Sequence, residues 1–321
     1  MNKVAAAPID NPLEPTPVAL SNPVKRYLLA TRPAFLTIAL AGCLLGFATA
    51  LESAFSWPLA LSTLFLAVAA QAGVNVFNDY YDHLNGSDAA NVDRLFPFTG
   101  GSRFIQNGVM SPRQMQVYAL LLFAGVIAGG LGLIATRGIA LFWIGLAGLL
   151  IGWAYSAPPL KLNSRGLGEI CVAAGFLLIV AGADFVQRGV VSSTPWLIGL
   201  PYALLVTNIL YINQFPDRRA DLQAGKRHWV ARLEPAAAVR GYWLILALAA
   251  AALIGLLASE RLPALAWISL LAAVPAVKAG QVLSAHAAEP SKLAPAVRLA
   301  ILAAHLQPAL LAAALAWTLL A

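Results

Sequence analysis

The strongest constraint on the fold is a series of apolar runs, each close to the length of a membrane-spanning helix. A helix needs about 20 residues to cross the hydrocarbon core of a bilayer. The composition agrees with this, because 60% of the 321 residues are hydrophobic and 11% are charged. We predict an all-α membrane protein with about nine transmembrane helices packed as one bundle. The predicted spans are residues 33–51, 58–83, 114–136, 138–156, 166–187, 195–216, 236–258, 262–283 and 297–320.

The distribution of lysine and arginine indicates how the bundle lies in the membrane. With a cytoplasmic N-terminus, 18 of the 21 basic residues lie in or beside cytoplasmic segments. This bias follows the positive-inside rule, so we predict an integral protein of a bacterial inner membrane. The same bias explains the net charge of +7 without a nucleic-acid partner. The polar, proline-rich residues 1–26 predict a flexible cytoplasmic tail, and residues 27–321 predict one polytopic domain.

The first of two polar motifs lies at the end of the second span. Asn75, Asn78, Asp79 and Asp82 are spaced i, i+3, i+4 and i+7, so they share one face of a helix. An ionised carboxylate at membrane depth is costly and usually functional. Interfacial acids that pair with nearby arginines are the structural alternative, and one motif alone does not decide between these two interpretations.

The second motif lies at the equivalent place, at the end of the sixth span. Asn213, Asp217 and Asp221 are spaced i, i+4 and i+8, again on one stripe. Two facing stripes of oxygen ligands favour Mg²⁺, which binds carboxylates together with substrate phosphates. We therefore predict that the seven residues of the two motifs hold Mg²⁺ and that their four aspartates are catalytic. With the N-terminus inside, both motifs fall on the cytoplasmic side.

Basic residues in the loops near the motifs are candidates for binding a diphosphate. Arg103 follows Gly100 and Gly101 closely, and glycines let a backbone approach an anion. Anchoring at the membrane surface is the alternative explanation for such residues. The complete predicted substrate-binding set, which adds a tyrosine from the end of the fourth span, is Arg103, Tyr155, Lys161, Arg165, Lys226 and Arg227.

The motif residues that carry a family resemblance are Asn78, Asp79, Asp82, Gly86 and Asp88 in the first motif, and Asp217, Asp221, Gly225 and Lys226 in the second. Together they resemble the UbiA superfamily of intramembrane prenyltransferases, over nearly the whole chain. The sequences at 100–102, 165–169 and 225–227 are most similar to the menaquinone branch, 1,4-dihydroxy-2-naphthoate polyprenyltransferase. One departure from the family pattern is His228-Trp229, which stands where Thr-Leu is usual.

The resemblance implies a nine-helix bundle with a central cavity that opens sideways to lipid. It also implies that Mg²⁺ bridges both aspartate motifs and a polyprenyl diphosphate. Metal and cations would draw charge onto the leaving diphosphate, and the apolar bundle would shield the carbocation from water. An aromatic acceptor, 1,4-dihydroxy-2-naphthoate in the menaquinone branch, would then attack the cation and lose a ring proton.

Other acceptors and a non-enzymatic function stay open at this point. Acceptor pockets use few residues, so 4-hydroxybenzoate, homogentisate, a tetrapyrrole and a glycerol lipid are alternatives. An ion-coupled transporter is the alternative from a different class of protein. Transporters usually place intramembrane acids near the midplane on broken helices. Here both motifs lie at the ends of spans, beside long loops, which favours delivery of a charged head group from the aqueous side.

Overall fold

The computed structural model describes residues 12–320, with side chains through Thr318. Within that range the chain forms α-helices and short 3-10 helices, and no strand is present. The α-helices are α1 (Pro23–Ala30), α2 (Pro33–Thr49), α3 (Trp57–Asn85), α4 (Ser87–Ala90), α5 (Pro112–Arg137), α6 (Ala140–Ser156), α7 (Gly168–Arg188), α8 (Thr194–Gln223), α9 (Trp229–Arg232), α10 (Pro235–Ala258), α11 (Ala273–His286) and α12 (Ala294–Leu320). The 3-10 helices are Leu162–Arg165, Ala264–Ala272 and Pro290–Lys292.

These helices confirm the predicted all-α membrane fold. Among residues 12–320, seven helical segments are long and apolar enough to cross a membrane. An eighth span results if α1 and α2, which meet at a bend of 63°, are counted as one. Helix α6 is apolar but has 17 residues, which is short for a span. Each of the nine predicted runs corresponds to a helical segment, and the count of nine is approximate.

Prolines mark the starts of the spanning helices. A proline in the first helical turn lacks only an N–H that has no partner within the helix. At the start of α5, Ser111 adds a capping box. Its hydroxyl accepts from the Gln114 N–H at 3.2 Å, and the Gln114 side chain accepts from the Ser111 N–H at 2.8 Å. Prolines begin α2, α3, α5, α8 and α10.

Successive spans run in opposite directions, so the bundle has two ends. The end that carries both polar motifs, called the site end, joins the ends of α3 and α8 to the starts of α2 and α7. Asn75 Nδ2 on α3 donates to the Thr31 carbonyl at 2.9 Å. Gln214 Nε2 on α8 donates to Glu169 Oε1 on α7 at 3.0 Å. The two predicted motifs are therefore brought to one end by the packing of four helices.

The opposite end, called the far end, is closed by buried polar contacts among α2, α3 and α7. Thr49 Oγ1 donates to Asp184 Oδ2 at 2.9 Å, and Arg188 Nη2 lies 3.0 Å from the same oxygen. Gln187 Oε1 accepts from the Ser56 N–H at 2.9 Å, and Gln187 Nε2 donates to the Ser56 carbonyl at 3.1 Å. Because Asp184 is paired in this way, its burial has a structural explanation.

Helix α8 lies at the centre of the bundle, where it packs against α7, α10 and α12. Two of its tyrosines are buried with their hydroxyls satisfied. Tyr202 donates to the Ile38 carbonyl at 2.5 Å, and Tyr211 donates to the Ala238 carbonyl at 2.8 Å. A Cβ at position 241 would collide with the Tyr211 hydroxyl, so Gly241 lets α10 approach α8. This packing fixes the end of α8 that carries the second motif.

The N-terminal segment differs from the predicted tail. Residues 1–11 lie outside the described residues, whereas Glu14, Pro15 and Leu20 are buried against the segment that joins α4 to α5. Glu14 is buried, because Arg94 Nε donates to its carboxylate at 2.6 Å and Asn107 Nδ2 donates at 3.1 Å. Burial raises the pKa of Glu14, but these hydrogen bonds and the charge of Arg94 outweigh it and hold that pKa below its ordinary value. The part of the predicted flexible tail that the structure describes is therefore anchored to the rest of the protein through these contacts.

Candidate active site

A long cavity lies between α2, α3, α5, α6, α7 and α8, and its part at the site end of the bundle is called its mouth. Its volume is about 500 Å³. Polar side chains line its mouth, and apolar walls continue as far as Leu133 and Val186, near the far end. A polar mouth with an apolar shaft fits a ligand that has a charged head and a long hydrocarbon tail. The central cavity implied by the family resemblance is therefore present.

Helix α3 brings three of its four predicted polar residues to the cavity. Asn75, Asn78 and Asp82 line its mouth, as their helical spacing requires. Asn78 Nδ2 donates to Asp82 Oδ2 at 3.2 Å and to Ser156 Oγ at 3.0 Å. These bonds tie α3 to the end of α6 and fix the rotamer of the Asp82 carboxylate.

Asp79 lies beside this stripe and faces the segment that joins α4 to α5. Its Oδ2 accepts from the Ser102 N–H at 3.0 Å, and Arg32 Nη1 lies 3.8 Å from its Oδ1. Asp79 is therefore not among the cavity-lining residues of the described chain. Arg32 itself lines the cavity, at the bend between α1 and α2, with φ of 58°. Arg32 was not predicted from the sequence, where the only sign of it is a lone arginine next to Pro33.

Helix α8 supplies the facing stripe. Asn213, Asp217 and Asp221 line the cavity mouth, as their predicted spacing implies. Asn213 Nδ2 lies 3.4 Å from the Phe98 carbonyl, at the edge of hydrogen-bonding distance. The second motif is thus held against both the cavity and the segment that covers it.

Lys226 joins the two motifs. Its Nζ lies 2.8 Å from Asp82 Oδ1 and 3.1 Å from Asp221 Oδ1. These two oxygens are therefore no more than 5.9 Å apart, the sum of the two distances. Burial lowers the pKa of Lys226, but the charges of Asp82 and Asp221 outweigh burial and raise that pKa above its ordinary value. The two acidic stripes meet closely enough to act on one head group.

His228 holds the remaining oxygen of Asp221. Its Nε2 lies 3.0 Å from Asp221 Oδ2, and its Nδ1 accepts from the Ala231 N–H at 3.2 Å. Because Nδ1 accepts, the proton of the neutral ring is on Nε2, which donates to the carboxylate. His228 is buried and lines the cavity. It is the departure from the family pattern seen in the sequence, although its contact with Asp221 was not predicted.

Four of the predicted substrate-binding residues do not line the cavity in the described chain, whereas Tyr155 and Lys226 do. Arg103 is buried outside the cavity, where it donates to the Asp88 carbonyl and lies 3.9 Å from the Glu14 carboxylate. The other three side chains are exposed at the site end, so a contact with substrate stays a prediction for them. They are Lys161, Arg165 and Arg227.

The glycines before Arg103 let the backbone pass close to other side chains inside the protein. Gly101 has φ of 71°, and a Cβ there would collide with the Asp88 carboxylate. From the sequence these glycines were expected to let the backbone approach a substrate diphosphate; in the structure Gly101 lies against the Asp88 side chain instead. Burial, followed by the charges of Asp82 and Asp79, raises the pKa of Asp88 well above its ordinary value.

The donor set at the cavity mouth fits Mg²⁺. Three amide oxygens that line it, Asn91 Oδ1, Asn213 Oδ1 and Gln214 Oε1, are buried and accept no hydrogen bond from residues 12–318. Carboxylate and amide oxygens are the protein ligands that Mg²⁺ prefers. In the part of the chain that the structure describes, no three acidic, histidine or cysteine side chains form a ready metal cluster. Substrate phosphate oxygens and water would complete the coordination, as is usual for Mg²⁺.

Comparison with curated proteins identifies relatives of this chain. It is 31% identical over 202 residues to a 1,4-dihydroxy-2-naphthoate octaprenyltransferase of Bacillus subtilis, a match that covers 61% of this chain and 62% of that protein. It is 29% identical over 234 residues to a 2-carboxy-1,4-naphthoquinone phytyltransferase of Synechocystis sp., with 70% of each chain covered. The chain thus spans less than two thirds of the Bacillus protein.

Solved structures of UbiA homologues have a fold similar to that of this chain. A UbiA homologue from Archaeoglobus fulgidus, bound to DMAPP and Mg²⁺, aligns with a TM-score of 0.57 at 18% identity, covering 89% of this chain and 99% of that one. At this identity the likeness concerns the fold alone. The model of the UbiA prenyltransferase family matches residues 39–302, which is well over half of the chain. The protein therefore belongs to the UbiA prenyltransferase family.

Proposed function

We propose that this protein transfers a polyprenyl group from a prenyl diphosphate to an aromatic acceptor of the 1,4-dihydroxy-2-naphthoate class, in quinone biosynthesis and with Mg²⁺. One observation carries the proposal: both acidic motifs converge at the polar mouth of a long apolar cavity, with Lys226 between them. The naphthoate and naphthoquinone substrates in the names of the two relatives support the acceptor class. The homologue bound to DMAPP and Mg²⁺ supports the donor and the metal.

The residues that would hold the metal lie on the two facing stripes. When bound, Mg²⁺ would stabilise the charge that develops on the leaving diphosphate. The cavity mouth also offers two cations of its own, Arg32 and Lys226, which would bind the diphosphate and stabilise it as it departs. The proposed metal-binding residues are Asn78, Asp82, Asn213, Asp217 and Asp221, with Asn75 and Asp79 in supporting positions.

The apolar shaft would hold the hydrocarbon tail and keep water from the reacting carbon. The bond between the allylic carbon and the diphosphate oxygen breaks, and both electrons leave on the oxygen. Aromatic side chains line the cavity, including Phe35, Phe176 and Tyr155. Their π electrons would stabilise the resulting carbocation, and their apolar surfaces would keep water away from it. The electron-rich acceptor ring then forms a carbon–carbon bond with the cation, and the attacked carbon loses its proton to the released diphosphate.

A panel of acceptors tests the proposal. The purified protein in lipid nanodiscs would be given Mg²⁺, an octaprenyl diphosphate and one acceptor at a time. The acceptors are 1,4-dihydroxy-2-naphthoate, 4-hydroxybenzoate, homogentisate, a tetrapyrrole and a glycerol lipid. We expect a prenylated naphthalene product by mass spectrometry, together with stoichiometric release of diphosphate. Absence of product and of diphosphate release with every acceptor would overturn the prenyltransferase assignment and favour a non-enzymatic function, such as transport.

The proposed orientation places the N-terminus and the active site in the cytoplasm, since 18 of 21 basic residues lie in segments at the site end or in the tail. Both native cysteines are buried, so single exposed cysteines can report the topology. Ser193→Cys at the far end should react with a membrane-impermeant maleimide in intact spheroplasts. Ser291→Cys at the site end should react after lysis alone. The reverse pattern would invert the proposed topology.

A further inference from the structure

Asp82 already uses both of its carboxylate oxygens for hydrogen bonds within the protein. Its Oδ1 accepts from Lys226 Nζ at 2.8 Å and from Asn85 Nδ2 at 3.1 Å. Its Oδ2 accepts from Asn78 Nδ2 at 3.2 Å. A divalent cation that binds Asp82 must therefore displace, or share an oxygen with, a donor that the protein itself supplies.

Asp221, on the facing helix, is engaged in the same way. Its Oδ1 lies 3.1 Å from the same Lys226 Nζ, and its Oδ2 lies 3.0 Å from His228 Nε2. Among residues 12–318, Lys226 is thus the one side chain seen to bind a carboxylate oxygen of each motif. A metal ion held by both motifs would therefore compete with its ammonium for these two oxygens.

The competition matters because all three groups are buried. Asp82, Asp221 and Lys226 are exposed by 8%, 7% and 7%. Removing one partner from a buried ion pair leaves an uncompensated charge, and this is strongly destabilising. A metal ion that arrives alone would leave the Lys226 ammonium buried next to another cation. A metal ion that arrives with a diphosphate provides Lys226 with a new anionic partner in the same space.

We propose that Lys226 is a competitor built into the metal site, which makes tight binding of the divalent cation depend on the diphosphate. The inference rests on the proposed function and adds to it an order of assembly: metal and diphosphate bind together, and the metal alone binds weakly. Thermodynamic linkage then requires that the metal raises the affinity for the diphosphate by the same factor.

Competition and a simple substrate contact predict different effects of removing the Lys226 charge on the affinity for the metal alone. If Lys226 competes with the metal, Lys226→Met should bind the metal alone more tightly than the wild type. If Lys226 merely contacts the diphosphate, the substitution should leave binding of the metal alone unchanged. The test titrates Mn²⁺ into the purified full-length protein and measures free Mn²⁺ by electron paramagnetic resonance. Each titration is repeated with geranyl S-thiolodiphosphate, whose C–S bond resists ionisation.

For the wild type we expect the thiolodiphosphate to raise the Mn²⁺ affinity by at least about tenfold. For Lys226→Met we expect Mn²⁺ alone to bind about tenfold more tightly than to the wild type, with a smaller effect of the analogue. Lys292→Met is the matched control, since it removes the same charge from an exposed ion pair with Glu289 at the same end of the bundle. Its Mn²⁺ binding should equal that of the wild type.

Two outcomes overturn different conclusions. If Lys226→Met binds Mn²⁺ alone no more tightly than the wild type, the competition is absent and this inference fails while the proposed function stands. If the wild type binds no Mn²⁺ even with the thiolodiphosphate, the proposed function fails as well. Should Lys226→Met not fold, Lys226→Gln makes the same comparison, because it is also neutral and retains a hydrogen-bond donor.

Discussion

The side-chain amide of Asn91 donates to Asp217 Oδ1 at 2.5 Å, which ties the segment after α4 directly to α8. The two residues are 126 positions apart in the sequence. Asn91 is buried and Asp217 lines the cavity mouth. Hydrogen bonds to an ionised acceptor are among the stronger ones in proteins. This bond therefore orients a carboxylate of the second motif from the segment that follows the first.

The first prediction concerns this bond. Asn91→Ala should lower kcat/KM for the prenyl diphosphate by about tenfold or more, because a hydrogen bond to a charged group contributes roughly 1.5–3 kcal/mol. The variant should still insert and elute as the folded protein. Val92→Ala is the matched control, since its side chain is 63% exposed, and it should retain wild-type kinetics. Equal kinetics for both variants would show that Asn91 does not orient Asp217.

The second prediction separates the carboxylates of the site from other buried ones. Asp82→Ala and Asp217→Ala should each reduce diphosphate release by at least about 100-fold, because each removes a carboxylate proposed to hold Mg²⁺ at the cavity mouth. Asp79→Ala should also impair turnover, and in addition it should lower the melting temperature, because Asp79 accepts from the Ser102 N–H.

Asp184→Ala provides the contrast for this series. Asp184 is paired with Arg188 at the far end, away from the cavity mouth. Its loss should lower the melting temperature, since it removes the buried acidic partner of Arg188 and of the Thr49 hydroxyl, while Mn²⁺ binding with a prenyl diphosphate analogue persists in the folded fraction. Full turnover by either purified Asp82→Ala or Asp217→Ala would contradict the assignment of the two stripes.

The third prediction concerns Glu14, which lies outside the residues matched by the family. Glu14→Ala should destabilise the protein by about 3 kcal/mol, because it leaves the Arg94 guanidinium without its buried partner. Thermal unfolding in detergent measures this. Glu289→Ala removes an exposed acid and should change stability by less than about 0.5 kcal/mol. A melting temperature of Glu14→Ala equal to that of the control would show that the N-terminal segment does not hold the loop.

The fourth prediction concerns the length of the prenyl tail. Gly145 lines the cavity on α6, and a Cβ added there would meet no atom within 4 Å. Gly145→Phe should therefore fit into the bundle and block the shaft. The expected result is a loss of at least about tenfold in kcat/KM for octaprenyl diphosphate, with little change for dimethylallyl diphosphate. Gly125→Phe on α5, where a Cβ also meets open space but outside the cavity lining, should leave both donors unaffected.

Much of this fold could be read from local patterns. Apolar runs of about 20 residues predict spanning helices, because a bilayer imposes both their length and their internal hydrogen bonding. The spacing of Asn213, Asp217 and Asp221 predicts one helix face, because the helical period is fixed. The same reasoning placed Asn75, Asn78, Asp79 and Asp82 on one face. In the described chain all of them except Asp79 line the cavity, as do the three residues of the second motif.

The contacts that complete the site were not predictable in this way. Lys226 was expected near the substrate, but nothing local indicated that it would lie between Asp82 and Asp221. The burial of Arg103 away from the cavity was equally hidden. Each of these positions depends on how irregular segments fold back over the bundle, and such segments have no periodicity from which to predict their contacts.

The sequence by itself determined that the chain forms spanning helices, their approximate number, and most of the motif residues that share a helix face, since these follow from short-range backbone geometry and the thickness of the membrane. Tertiary structure alone decided which faces meet and which charges become partners. Arg32 reaches the cavity because of a bend between α1 and α2. Glu14 is buried because the side chains of Arg94 and Asn107 both donate hydrogen bonds to its carboxylate. Pairings of this kind depend on contacts between residues far apart in the chain, and the free energy of burying their charges is set by the assembled bundle.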